Sequence, residues 1–165
     1  MCNYQLLGRE IDRTFGFPTE IKSILQDVNF AYDLTRDQYH STAILKKLAD
    51  TLPSQAFKVA AITNKDLFIP ILTHVYGEAQ LGGEACIVST FRLQEGLSIA
   101  NIEKEFENRM VKEVLHELGH TFNLRHCQDN SCIMHYCRSI KDVDRKSNQL
   151  CRYCKILLED ELKKL

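Results

Sequence analysis

The chain has 165 residues, of which 44% are hydrophobic, and 21 Lys and Arg stand against 22 Asp and Glu for a net charge of −1. That size suits a single domain with its own core. The balanced charge gives no bulk pull towards nucleic acid or an anionic membrane, and no apolar run approaches the ~20 residues that span a bilayer.

The first ten residues lack a charged start followed by an apolar core, so no signal peptide is expected and a reducing, cytoplasmic setting is. Tyr4 to Leu7 reads as a short first strand. Pro18 opens a helix with Ile21, Ile24, Leu25 and Val28 at helical spacing. Residues 29–34 read as a second strand. Ile44, Leu45 and Leu48 mark a helix from Ser41 that ends near Pro53. Residues 57–62 and 72–77 read as strands. Gly82 and Gly83 break the chain before a further strand at 84–90. A long helix then runs from Ser98 or Asn101 to about Phe122. Its apolar positions Ile102, Phe106, Met110, Val114 and Leu118 recur every four residues and form the core-facing side. A short amphipathic helix is expected from Lys155 to Leu165. This order implies an α/β (α+β) layer with a mixed sheet.

The end of the long helix carries the most specific pattern. Residues 116–126 read H-E-x-x-H-x-x-N-x-x-H. His116 and His120 lie one turn apart on one helix face, so both rings can reach one zinc. Glu117 is placed to take a proton from a water on that metal. His126 needs a sharp turn to return to the metal; otherwise it is a surface histidine on a continuing helix. Asn123 is the residue that must make the turn, and Asn is the best non-glycine for the left-handed region. Glu113, three residues before His116, shares its face. It reads as a solvated helix charge or as support for an imidazole.

Cysteine supplies a second signal. Cys127 and Cys132 are separated by four intervening residues, and Cys151 and Cys154 by two. Such pairs suit a four-thiolate zinc, with two disulfides as the rival reading. A reducing compartment favours the metal. Seven cysteines leave Cys2, Cys86 and Cys137 as spares, with Cys86 in an apolar run as a plain core residue. Because Cys127 follows His126, the cysteine zinc would also fix the loop that delivers the third histidine.

The run from His116 to Cys154 resembles the archaemetzincins, a branch of the metzincin zinc peptidases. The shared residues are His116, Glu117, His120, His126, Cys127, the Cys132-Ile133-Met134 element and the closing Cys151-Arg152-Tyr153-Cys154. They span about a quarter of the chain. Asn123 stands where the family usually has glycine. The resemblance implies a metzincin-like fold with a mixed twisted sheet, an active-site helix and a small zinc-stabilised C-terminal subdomain. It divides one metallopeptidase domain, 1–165, into an upper part, 1–122, and a lower part, 123–165. It makes Met134 the methionine of a Met-turn beneath the metal and Tyr136 a possible support for the transition state. It also makes the 84–90 strand a possible upper rim of the cleft, with an interior strand as the alternative.

The expected activity is peptide-bond hydrolysis with two Zn2+ per chain, one catalytic and one structural. Glu117 is general base and then acid, and peptides or proteins are the substrate. The alternatives are a latent or non-catalytic zinc-binding protein of peptidase-like fold, and a zinc-knuckle nucleic-acid module. The latter would use Arg138, Lys141, Arg145, Lys146, Arg152 and Lys155, but neighbouring acids dilute that charge and a solvated surface is the better account.

Overall fold

The computed structural model describes residues 3–165. Helix α1 spans Tyr4–Phe15 where a strand was expected at its start. Asn3 caps it, its side chain accepting from the Leu6 N–H at 3.1 Å. Leu7, Ile11 and Phe15 follow at a spacing of four, which is the helical period and not the strand period. Phe15 stacks on Phe122, ring centroids 4.9 Å apart, and so ties α1 to the end of the long helix.

No helix follows Pro18. Ile24, Leu25 and Val28 instead pack against a core from an irregular segment, and Ile21 is exposed. A stripe that short is marginal as a helix unless packing rewards it. Of the strand expected at 29–34, Asn29–Ala31 is a turn of 3-10 helix and only β1, Tyr32–Asp33, is extended. Strand β2, Gln38–His40, leads directly into α2, Ser41–Asp50. Ile44, Leu45 and Leu48 are buried there as the pattern predicts.

Strand β3 is Val59–Thr63, β4 Leu67–Phe68, β5 Gly77–Ala79 and β6 Ala85–Ser89. Instead of one sheet there are two of three strands each, ordered β1-β2-β4 and β3-β6-β5. Both are mixed. β3 runs parallel to β6, with Val59 opposite Ala85, whereas β5 runs antiparallel, with Gly77 opposite Val88. The strand expected at 72–77 begins only at its last residue, after a turn closed by the Leu72 N–H on Ile69 O. β6 is paired on both sides and every residue in it is buried. It is therefore the interior strand, and β3 and β5 are the two edges.

The long helix, α3, spans Ile102–Thr121. Met110, Val114 and Leu118 face the core as expected, but Arg109 to Gly119 is buried without a break. Helix α4, Ile140–Arg145, was not foreseen, although its capping box is written in the sequence as Ser139 and Asp142. Helix α5 spans Arg152–Leu162, three residues earlier than expected, with Cys151 as its cap. One core lies between α3, α1, α5 and residues 132–134; a second lies beneath α2. Among the described residues no helix is long and apolar enough to cross a membrane.

Candidate active site

His116 and His120 stand on consecutive turns of α3, and His126 returns to them after the helix ends. The return is made at Asn123, which has φ 64°. The Leu124 N–H reaches Gly119 O at 3.0 Å and the Asn123 N–H reaches His120 O at 2.9 Å. These are the two bonds of a Schellman stop, with Asn in the glycine position. One ring nitrogen from each of the three histidines then lies within 4.8 Å of the other two.

Two of these rings are fixed by backbone carbonyls. His116 Nδ1 lies 2.8 Å from Ile133 O, and His120 Nδ1 lies 2.7 Å from Leu124 O. A carbonyl only accepts, so each Nδ1 carries the hydrogen and each Nε2 presents a lone pair. The two Nε2 atoms face each other at 3.1 Å. Two lone pairs at that distance repel unless a cation sits between them. Tetrahedral zinc with ~2.0–2.1 Å bonds spaces its nitrogens by about 3.4 Å, so the donors fit such an ion. Burial lowers the pKa of all three histidines, that of His116 well below the usual range and that of His120 to about 4. They are neutral donors at pH 7, as metal binding requires.

Glu117 is buried beside this cluster. Burial, and then the nearby Glu113, push its carboxyl well above the usual carboxylate range, with Lys146 opposing. Gly77 of the edge strand closes over it. A Cβ at Gly77 would stand 2.8 Å from Glu117 Cγ and 2.7 Å from Ile87 O, so no larger residue fits there. The next residue, Glu78, accepts from Thr42 Oγ1 at 2.8 Å and from Ser41 Oγ, which fastens the strand to α2.

Glu113 is not a solvated charge. It is 3% exposed and pairs with Lys146 at 2.8 Å, and Lys146, read as part of a basic surface, is itself 1% exposed. The Lys146 ammonium lies 3.5 Å from His116 Nδ1, on the side away from Nε2. Burial works against that charge, but Glu113 and Cys137 outweigh it and hold the lysine pKa above its ordinary value. The sequence signal for this pair was weak. Glu113 sits at i−3 from His116, but nothing local pairs it with a lysine 33 residues on.

Met134 is fully buried and its sulfur lies against Gly119, where a Cβ would overlap it. Tyr136 is 44% exposed and its ring lies 5.0 Å from that of His126. His135 is half-buried, with Nδ1 2.8 Å from Cys127 O, and is not part of the histidine cluster.

The thiols of Cys127, Cys132, Cys151 and Cys154 form a second cluster, again within 4.8 Å. All four are free, and Cys127 Sγ lies 3.8 Å from Cys151 Sγ. That is far beyond a ~2.05 Å disulfide and equals the edge of a tetrahedron with Zn–S bonds of about 2.3 Å. The N–H of Cys154 and that of Cys151 point at Cys151 Sγ and Cys132 Sγ, at 3.4 and 3.3 Å. Burial raises the Cys132 pKa to about 11. Cys151 lies lower than usual: burial opposes this, but the Cys154 N–H and the neighbouring thiols donate to its sulfur. The donor set fits zinc. Cys86 is a core residue, and Cys137 sits by Lys146; neither joins the cluster, and Cys2 lies outside the described residues.

The model of peptidase family M54 matches residues 16–160. The archaemetzincin of Halobacterium salinarum is 41% identical over 134 residues, covering 78% of this chain and 76% of the relative. That of Methanopyrus kandleri is 40% identical over 134 residues, covering 81% and 73%. The crystal structure of the Methanopyrus kandleri archaemetzincin superposes with a TM-score of 0.88 at 34% identity, over 97% of this chain and 86% of that one. The Archaeoglobus fulgidus archaemetzincin complexed with malonate gives 0.74 at 30% identity, over 93% and 90%. The family match spans most of the chain and includes both donor clusters, so this chain belongs to peptidase family M54, the archaemetzincin family of zinc metallopeptidases.

Proposed function

We propose that the chain hydrolyses peptide bonds with zinc held by His116, His120 and His126 and with Glu117 as general base and then general acid. The observation that carries this is the pair of carbonyl-fixed imidazoles whose Nε2 lone pairs meet at 3.1 Å next to a buried carboxylate. Zinc at that point would supply Lewis acidity, lowering the pKa of water and polarising a carbonyl. Glu117 takes the proton of the attacking water and delivers it to the leaving amine. Its raised proton affinity suits both halves of that transfer. Gly77 holds the edge strand down on the carboxylate and limits water there. β5, the edge strand that packs over Glu117, offers an edge along which an extended peptide can add by main-chain hydrogen bonds. Tyr136, beside His126, supports the transition state from the open side.

A second, structural zinc is held by Cys127, Cys132, Cys151 and Cys154. It ties the turn after His126 to the start of α5. One catalytic domain results, with residues 1–122 above the cleft and 123–165 below. Met134 forms the apolar floor between the two.

The test is cleavage of a mixed peptide library by zinc-loaded protein beside Glu117→Gln, with metal content measured in both. Cleavage by the wild type alone, with two zinc ions in each protein, supports the assignment. Equal cleavage by the variant overturns the role of Glu117. No cleavage by either, with both sites filled, makes this a non-catalytic zinc protein.

A further inference from the structure

We infer that Arg125 makes this site select substrates that present a carboxylate close to the scissile bond. The inference rests on the peptidase reading and names its substrate class.

Two open hollows flank the His126 ring. One, of about 430 Å³, is walled by Ala79, Leu81, His120, Arg125 and His126. The other, of about 450 Å³, lies towards α5 and has Asn123, Gln128, Asp129, Tyr153 and Leu157 in its wall. Arg125 and His126 border both. In the first hollow Arg125 is the sole formally charged side chain, sharing the wall with the apolar Ala79 and Leu81.

The backbone holds Arg125 in this place. Leu124 before it is 1% exposed and its carbonyl accepts from His120 Nδ1. His126 after it belongs to the histidine cluster. The Arg125 main chain cannot shift without disturbing two imidazoles. Its side chain, by contrast, is exposed and has no hydrogen bond, ion pair or ring contact among the described residues.

Other charges near the site are committed. Glu113 pairs with Lys146, and Arg109 with Asp144 at 2.7 Å. Lys112 donates to the carbonyls of Val143 and Asp144, both at 3.0 Å. Asp129, in the second hollow, accepts from the Ser131 N–H and Oγ at 2.9 and 2.8 Å. What remains is one unspent guanidinium on a fixed base at the mouth of the cleft. Its planar fork takes a carboxylate through two parallel hydrogen bonds. An Asp or Glu side chain and a free peptide C-terminus both offer that group.

The experiment uses the zinc-loaded full chain and peptides that carry Glu, Gln or Lys at each position around the cut. Each peptide is made with a free and with an amidated C-terminus, and kcat/KM is read by mass spectrometry. Glu should exceed Gln by roughly 3- to 10-fold at one position, as for a partly solvated charge pair, with Lys lowest. The preference should shrink as salt rises. A preference that survives amidation identifies a side-chain carboxylate; one that needs the free acid identifies the C-terminus. In Arg125→Gln the Glu-to-Gln ratio should fall to about one, and Arg125→Glu should favour Lys. Equal rates in the wild type, or a ratio unchanged in Arg125→Gln, would overturn the inference. Should no peptide be cut, the peptidase reading fails by itself. Binding of the same peptides, fluorescently labelled, to zinc-loaded Glu117→Gln then decides Arg125 by the same ratio.

Discussion

The two donor clusters are built on opposite principles. In the histidine cluster two of the three histidines ride on one helix, four residues apart, and their rings are fixed by main-chain carbonyls. In the cysteine cluster the four thiols come from two short segments, with Cys132 and Cys151 19 residues apart and helix α4 between them. The first site is set by one helix and its stop. The second is assembled from loops joined by backbone hydrogen bonds and from the first turn of α5, so a metal bound there would couple directly to the local fold.

That contrast can be broken at several points. The largest effect is expected from Cys151→Ser with Cys154→Ser, which removes binding free energy on the order of 10 kcal/mol. Residues 123–165 should become sensitive to limited proteolysis, and zinc at the histidines should weaken as well, because His126 adjoins Cys127. Undiminished affinity at the histidine site would show that the two clusters are independent.

Next in size is Lys146→Met, which leaves Glu113 as an unpaired buried carboxylate beneath His116 at a cost of about 3–5 kcal/mol. Adding Glu113→Leu should recover most of the lost stability in a denaturant titration. If the single variant is as stable as the wild type, the ion pair contributes nothing to fixing this side of the site.

Acid should separate the clusters in chelator-treated protein. His120 protonates near pH 6.5 when unfolded but only at about pH 4 when folded. The unfolded state binds more protons between those values, so stability falls as pH drops through that window. The loss from His120 alone is about 3 kcal/mol, and His120→Asn should flatten the curve of melting temperature against pH. A wild-type curve already flat from pH 6.5 to 4 would contradict it.

Gly119→Ala presses a methyl group onto Met134 and should cost roughly 1–3 kcal/mol by overpacking, while leaving the cysteine zinc in place. Circular dichroism melts with zinc counts will show whether the loss is confined to the histidine side. The smallest effects belong to Asn123. Asn123→Ala forces a Cβ without a local polar partner to φ 64° and should cost about 1–2 kcal/mol. Asn123→Gly should stay within about 0.5 kcal/mol of the wild type. If alanine is as good as glycine, the left-handed turn does not govern the return of His126.

The sequence by itself pointed to both residue clusters and to the long helix that carries the first; the helix after the second was expected from Lys155 and begins at Arg152. These depend on local spacing: four residues make one helical turn, and two or four residues bring cysteines within reach of a common point. The left-handed turn at Asn123 was legible for the same reason. Tertiary structure decided the rest. The apolar residues after Pro18 packed without forming a helix because contact with the second core, not periodicity, rewarded them. β6 became the central strand and β5 the edge because strand order is a matter of pairing partners, which alternation does not specify. Glu113 and Lys146 met under His116 because burial of a charge is set by what packs over it. Arg125 carries no ion pair among the described residues because the fold fixes its backbone beside the histidines and leaves its side chain at the surface.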